Sequence, residues 1–160
     1  GYSMIKLIRI DYRMIHGQVV FTWANNLNLD RLVVIDDKTA KDPAQKMTLS
    51  LSVPSGVKFN LFTLKDALAR KNKLANIPDS TAIIFQNVET CYNFMKEFNG
   101  NVKEINYGGI PKRENTKEFD KAVFLTPSEI EQTNELIKLG YKVYSRQTPT
   151  SDRKDFKDLH

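Results

Sequence analysis

Cysteine is almost missing from this chain. Cys91 is the only one among 160 residues, which excludes an internal disulfide and any multi-cysteine zinc site. It fits a reducing compartment, and its place in "VETCYNFMKEF" reads as a small buried apolar side chain rather than a reactive thiol. Long hydrophobic runs are missing too. No stretch approaches the roughly 20 residues a membrane helix needs, and no positive cluster followed by an apolar core marks a signal peptide at the start. Gly1–Ser3, ahead of Met4, are expected to be an expression remnant, with residues 4–160 forming one domain. Glycine and proline number only 7 and 6 and nowhere cluster into a linker or repeat. Negative charge is in deficit: 24 Lys and Arg against 19 acidic residues leave +5. That favours anionic partners. The basic clusters "ARKNK" and "PKR" lack interleaved aromatics, which argues against a nucleic-acid surface. Neither a G-x-x-x-x-G-K-[ST] loop nor a G-x-G-x-x-G turn occurs, so two common nucleotide cradles are excluded.

What is present is an alternation. β-rich runs occur at "IKLIRI" (5–10), "RLVVID" (31–36), "VKFNLF" (57–62), "TAIIFQ" (81–86), "VKEIN" (102–106), "KAVFL" (121–125) and "KVYSRQ" (142–147). Helical segments lie between most of them. The first comes after Gly17, with Val19, Val20, Trp23, Ala24 and Leu27 on one face. A second runs from about Asp42 to Ser52, with Asp42 as its cap and Pro43 in its first turn. Thr63 caps a third, "LKDALARKNKLA". The fourth, "VETCYNFMKEF", is expected to stop at Asn99-Gly100. The last opens with Thr126, Pro127 and Glu129 in a capping box and ends at Gly140. This pattern predicts a doubly wound α/β fold: a mostly parallel sheet of about seven strands with helices on both faces. Ligands of such folds bind beyond the carboxyl ends of the strands.

That rule draws attention to His16. The only other histidine is the last residue, His160. His16 sits in "RIDYRMIHGQVV", after the first strand and just before the first helix. The helix start offers unpaired N–H groups and a positive dipole end. Gly17 leaves that backbone open to close approach. Arg13 supplies a permanently charged donor fork suited to phosphate. Together they describe a phosphate cradle containing a nucleophile, since neutral imidazole attacks phosphorus and cations stabilise the transferring group. The plainer alternative is an ordinary polar loop. Asp36-Asp37, ending the second strand, suits magnesium or phosphoryl acceptance, but reads more simply as a turn whose Asp caps the next segment. "NYGGIP" (106–111) offers a tight turn after the fifth strand, with Gly108 and Gly109 allowing close backbone approach.

These segments resemble the IIB components of the mannose/fructose/sorbose family of the bacterial sugar phosphotransferase system. The family pattern R-I-D-x-R-x-I-H-G-Q-V is matched by Arg9, Ile10, Asp11, Arg13, Ile15, His16, Gly17, Gln18 and Val19. "IDDKTAKDP", "NYGG" and "RQTP" match three further family segments, so the resemblance runs from residue 9 to 149. One departure is Gln45, where family members often carry a basic residue; that role would fall to Lys46 or be absent.

The resemblance implies a protein-N(pi)-phosphohistidine–sugar phosphotransferase. His16 would accept a phosphoryl group, expected on Nδ1, from a phosphorylated IIA protein. It would pass that group to a sugar held by the membrane components IIC and IID. Arg13 would stabilise the phosphoryl group and Asp11 would orient the loop or the imidazole. Met14, Ile15, Gly17 and Gln18 would form the phosphate-binding loop, with Asp36, Asp37, Gly108 and Gly109 behind it. No metal, nucleotide or other cofactor is implied for this step, nor any nucleic acid or direct membrane insertion. The chain would be cytoplasmic, held at the membrane's inner face through IIC and IID. Mannose, fructose, sorbose and amino sugars are all served by the family, and the sugar contacts belong to the membrane components. Two other readings carry distinct expectations. A receiver-like domain phosphorylated on aspartate would show magnesium dependence and hydroxylamine sensitivity, but "VKFNLFTL" ends without an acceptor Asp. A non-enzymatic anion- or nucleic-acid-binding module would show steeply salt-dependent affinity.

Overall fold

A computed structural model describes residues 4–160; the expected remnant, Gly1–Ser3, lies outside the described residues. Seven strands form one sheet: β1 (Ile5–Asp11), β2 (Arg31–Ile35), β3 (Lys58–Phe62), β4 (Thr81–Phe85), β5 (Glu104–Gly109), β8 (Lys142–Ser145) and β9 (Lys154–Phe156). Their order is β3-β2-β4-β1-β5-β8-β9. All neighbouring pairs are parallel except β8 and β9. The sheet is therefore mostly parallel, as the alternation predicts.

Period-2 alternation sends the strand side chains to two cores. Ile8, Ile10, Val33, Ile35, Ile83 and Phe85 face one side. There they meet Ala67 of α4 (Leu64–Ala69), Leu74 of α5 (Lys71–Ala75), Cys91 and Phe94 of α6 (Val88–Met95) and Leu136 of α7 (Pro127–Lys138). Leu7, Leu32, Val34, Ala82 and Ile84 face the other side. There they meet Val20, Trp23 and Ala24 of α1 (Gly17–Leu27) and Leu49 of α3 (Pro43–Leu51). Strands covered on both faces read as nearly continuous apolar runs, which is why "RLVVI" and "TAIIF" are legible as strands.

The helix signals act as read. Asp42 accepts from the amides of Ala44 and Gln45 at 3.1 and 3.2 Å. Thr126 and Glu129 make a reciprocal capping box. Differences arise where tertiary packing overrides local pattern. The segment "LKDALARKNKLA" breaks at Arg70, which ends α4 and starts α5; its guanidinium lies 5.1 Å from the Phe62 ring. Helix α6 ends at Met95, short of Asn99-Gly100, because the next turn tightens. Glu97 and Phe98 donate to Phe94 and Met95, three residues back, and the Phe98 ring stacks against Phe94 at 4.9 Å. A short helix, α2 (Asp37–Ala40), comes after β2 with Asp36 as its cap.

Two strand expectations are corrected. The run 121–125 is outside the main sheet: β7 (Val123–Leu125) pairs antiparallel with β6 (Lys117–Asp120) in a separate hairpin. The seventh place is taken by β9, from the charged tail "RKDFKD". Only Phe156 gives β9 an inward face, packing edge-on to Tyr107 at 5.9 Å. The NYGG segment is also no turn; it forms the carboxyl end of β5. This topology positions the site. The connection leaving β1 goes to β2 on one side, and that leaving the neighbouring β5 leads to β8 on the other. The crevice above β1 and β5 is thus the topological switch point.

Candidate active site

The loop from Tyr12 to His16 fills that crevice. Asp11, at the end of β1, is 1% exposed and organises it. Its Oδ1 accepts from the Arg13 amide at 3.0 Å and from Arg13 Nε at 3.3 Å. Its backbone carbonyl accepts the Met14 amide at 2.8 Å. Met14 is left-handed, with φ 61°, a conformation L-residues adopt only when surroundings hold it there. Here Met14 and Ile15 are driven into the α1-side core, at 2% and 4% exposure. They anchor the loop from below and leave its other residues outward. The Thr39 hydroxyl donates to Asp36 at 2.7 Å and lies 3.7 Å from the Met14 sulfur.

His16 is exposed and is the N-cap of α1, with no side-chain capping hydrogen bond. Gly17 comes next at φ 33°. The amides of the first helical turn therefore face the space beside an exposed imidazole, with nothing from the cap side chain competing for them. Arg13, three residues before His16 in the chain, has its side chain 31% exposed and paired with Asp11, its guanidinium 5.2 Å from the Tyr12 ring. Gln18 is exposed on the first turn.

The remaining expected residues divide. Asp36 is buried, caps α2 through the Thr39 amide at 3.1 Å, and is linked to the loop through Thr39 and Met14. Asp37 turns away and accepts the Leu64 amide at 2.7 Å. The two carboxylates thus serve different elements and do not converge as a magnesium pair would. Among the described residues, no group of three or more His, Cys, Asp and Glu is placed to hold a metal ion. Gly108 and Gly109 are near the loop but serve packing. A Cβ on Gly108 would overlap the Arg9 guanidinium, and one on Gly109 would lie 3.1 Å from Asp11 Oδ1.

The sequence assigns Arg9 no role, yet it is the hub below the loop. It is 2% exposed. Its Nη1 donates to Asn106 Oδ1 at 2.5 Å and to the Arg146 carbonyl at 3.1 Å, and its Nη2 donates to Asp11 Oδ2 at 3.1 Å. Burial lowers its pKa from the ordinary arginine value, and Asp11 opposes that. Trp23 lies 5.5 Å away and donates to the Gln147 carbonyl at 3.0 Å, while Gln147 donates to the Gly108 carbonyl. The segments "RID", "NYGG" and "RQTP" are thereby joined in one network. The available signal is an arginine inside the otherwise apolar strand "IKLIRI".

Over residues 5–160 the chain matches the family described as PTS system sorbose subfamily IIB component. The chain belongs to that family. The sorbose-specific EIIB component of Klebsiella pneumoniae is 31% identical over 139 residues, covering 87% of this chain and 84% of that protein. The fructose-specific EIIB component of Bacillus subtilis is 32% identical over 154 residues, covering 95% and 93%. Among solved structures, the IIBSor domain of the sorbose permease from Klebsiella pneumoniae superposes with a TM-score of 0.85 at 30% identity, covering 93% of this chain and 91% of that one. The mostly parallel α/β sheet is thus the fold of these IIB domains. The protein is a sorbose-type IIB component of the sugar phosphotransferase system and acts in the phosphotransfer of sugar transport. No helix among the described residues is long and apolar enough to cross a membrane.

Proposed function

We propose that His16 carries the phosphoryl group in this IIB component. In the first half-reaction a neutral imidazole nitrogen attacks the phosphorus of a phosphohistidine on the IIA donor. The new N–P bond forms as the donor's N–P bond breaks, and the electron pair returns to the donor imidazole. In the second, a sugar hydroxyl oxygen attacks the same phosphorus. The His16 N–P bond breaks and the hydroxyl proton is released. Both steps start from an activated phosphoramidate, so positioning and charge stabilisation are the main tasks. Arg13 and the first-turn amides of α1 would perform them, with Asp11 holding the loop.

One observation carries this reading: His16 is an exposed imidazole, free of side-chain capping hydrogen bonds, seated at the start of α1. A structural histidine cap would bond the helix amides itself. The surroundings also suit successive protein partners, which we assign as IIA and then the sugar-holding IIC and IID at the inner face of the membrane. Helix α3, beside the loop through Leu49, buries only that residue. Its Met47 and Leu51 are exposed, as are Phe21 on α1 and Tyr12 in the loop. Lys38, Lys41 and Lys46 add positive charge, and Gln45 is exposed beside Lys46.

The test is phosphotransfer from phosphoenolpyruvate through the general relay proteins and phospho-IIA, with the modified residue mapped by mass spectrometry at mildly alkaline pH. An acid-labile group on His16, absent in His16→Ala at an unchanged melting temperature, is the expected result. Equal phosphoryl acceptance by His16→Ala would end the proposal.

A further inference from the structure

The guanidinium of Arg9 is closed off from solvent, yet three strands and a helix are arranged around it. Gly108 lacks the Cβ that would occupy its place. Asn106 of β5, the Arg146 carbonyl after β8 and Trp23 of α1 surround it. Burying a charge this fully is costly unless it is paired and hydrogen-bonded. Its ionic partner among the described residues is Asp11, which is also the anchor of Arg13. Two arginines thus share one carboxylate. The buried one takes Oδ2 at 3.1 Å. Arg13 is left with Nε at 3.3 Å and Nη2 at 3.5 Å, a long and open arrangement for an arginine–carboxylate pair.

We infer that Arg9 is a positioning residue for phosphoryl transfer: it neutralises Asp11, so that Asp11 orients Arg13 without cancelling its charge. The three groups together carry a net single positive charge, and Arg9 delivers it to the exposed end, at Arg13. Without Arg9, Asp11 is a buried, unpaired carboxylate. It then draws Arg13 down into a close pair, and the donor fork is lost to the phosphoryl group. This rests on the reading of Arg13 given above, and it makes Arg9 silent wherever Arg13 is absent.

The experiment is a double-mutant cycle read by two independent signals. Arg9→Gln keeps a hydrogen-bond donor but removes the charge that neutralises Asp11. Gly108→Ala keeps Arg9 and displaces its guanidinium. Both are expected to slow phosphotransfer from phospho-IIA by about 10–100-fold at saturating donor, with the half-saturating donor concentration unchanged. In an Arg13→Ala background the same changes should alter the rate by less than about 2-fold. The second signal is the Arg13 Nε–H resonance in ¹⁵N spectra. Its exchange with solvent should slow in both variants as Arg13 closes onto Asp11. An equal fold-loss with and without Arg13 would overturn the inference, as would an Arg13 Nε–H signal identical to the wild type. If the wild type takes no phosphoryl group on His16, the proposed function fails, while the Nε–H measurement still decides the role of Arg9.

Discussion

Replacing Asp11 with alanine should lower the melting temperature by about 6–12 °C. The carboxylate is 1% exposed and is the ionic partner of a guanidinium that is 2% exposed. Removing one member of a buried pair leaves the other charge uncompensated, at a cost of about 3–5 kcal/mol. For a protein of 160 residues, each kcal/mol shifts the midpoint by roughly 2–4 °C. Asn106 and the Arg146 carbonyl still bond Arg9 in the variant, so the lower part of the energy range is expected. Asp11→Asn keeps an oxygen for the Arg13 amide and should fall between the wild type and Asp11→Ala. Thermal unfolding followed by far-ultraviolet circular dichroism reads the effect, with a urea titration to check that the m-value is unchanged. A midpoint within about 2 °C of the wild type for Asp11→Ala would refute the reasoning, because it would mean that Arg9 does not depend on Asp11 for compensation.

Arg13→Ala is the complementary case. Its partly exposed ion pair contributes at most about 1 kcal/mol, so the midpoint should hardly move. Phosphotransfer should slow by about 100-fold or more; unchanged single-turnover kinetics would remove Arg13 from the role. Met47→Asp and Leu51→Asp, on the exposed face of α3, should leave stability and maximal transfer rate intact and raise the half-saturating concentration of phospho-IIA several-fold, measured by initial rates. Cys91 is fully buried, and burial pushes its thiol pKa well up. It should therefore react with a thiol reagent such as dithionitrobenzoate only at the rate of unfolding; rapid labelling of the native protein would contradict the α6 packing.

Local signals make much of this protein legible along the chain. The caps at Asp42 and Thr126 can be read because donor and acceptor lie two or three residues apart. Apolar runs such as "RLVVI" announce strands covered on both faces. His16 can be placed at a strand end and a helix start because both elements are defined by their own periodicity. The same short range explains the failures. Strand β9 has one inward residue, Phe156, and belongs to the sheet only because Tyr107 and β8 are already in place. The hairpin of β6 and β7 and the break at Arg70 likewise depend on neighbours distant in sequence. The glycines of NYGG look like a turn, whereas Gly108 is small because Arg9 needs its space. Arg9 itself joins residues 97 and 137 positions away. Sequence patterning sets which segments become strands and helices and where an imidazole is exposed, because those depend on interactions along the chain. The buried charge network beneath that imidazole exists only once β1, β5, β8 and α1 pack together, because it is the exclusion of water by that packing that makes each of its pairings necessary.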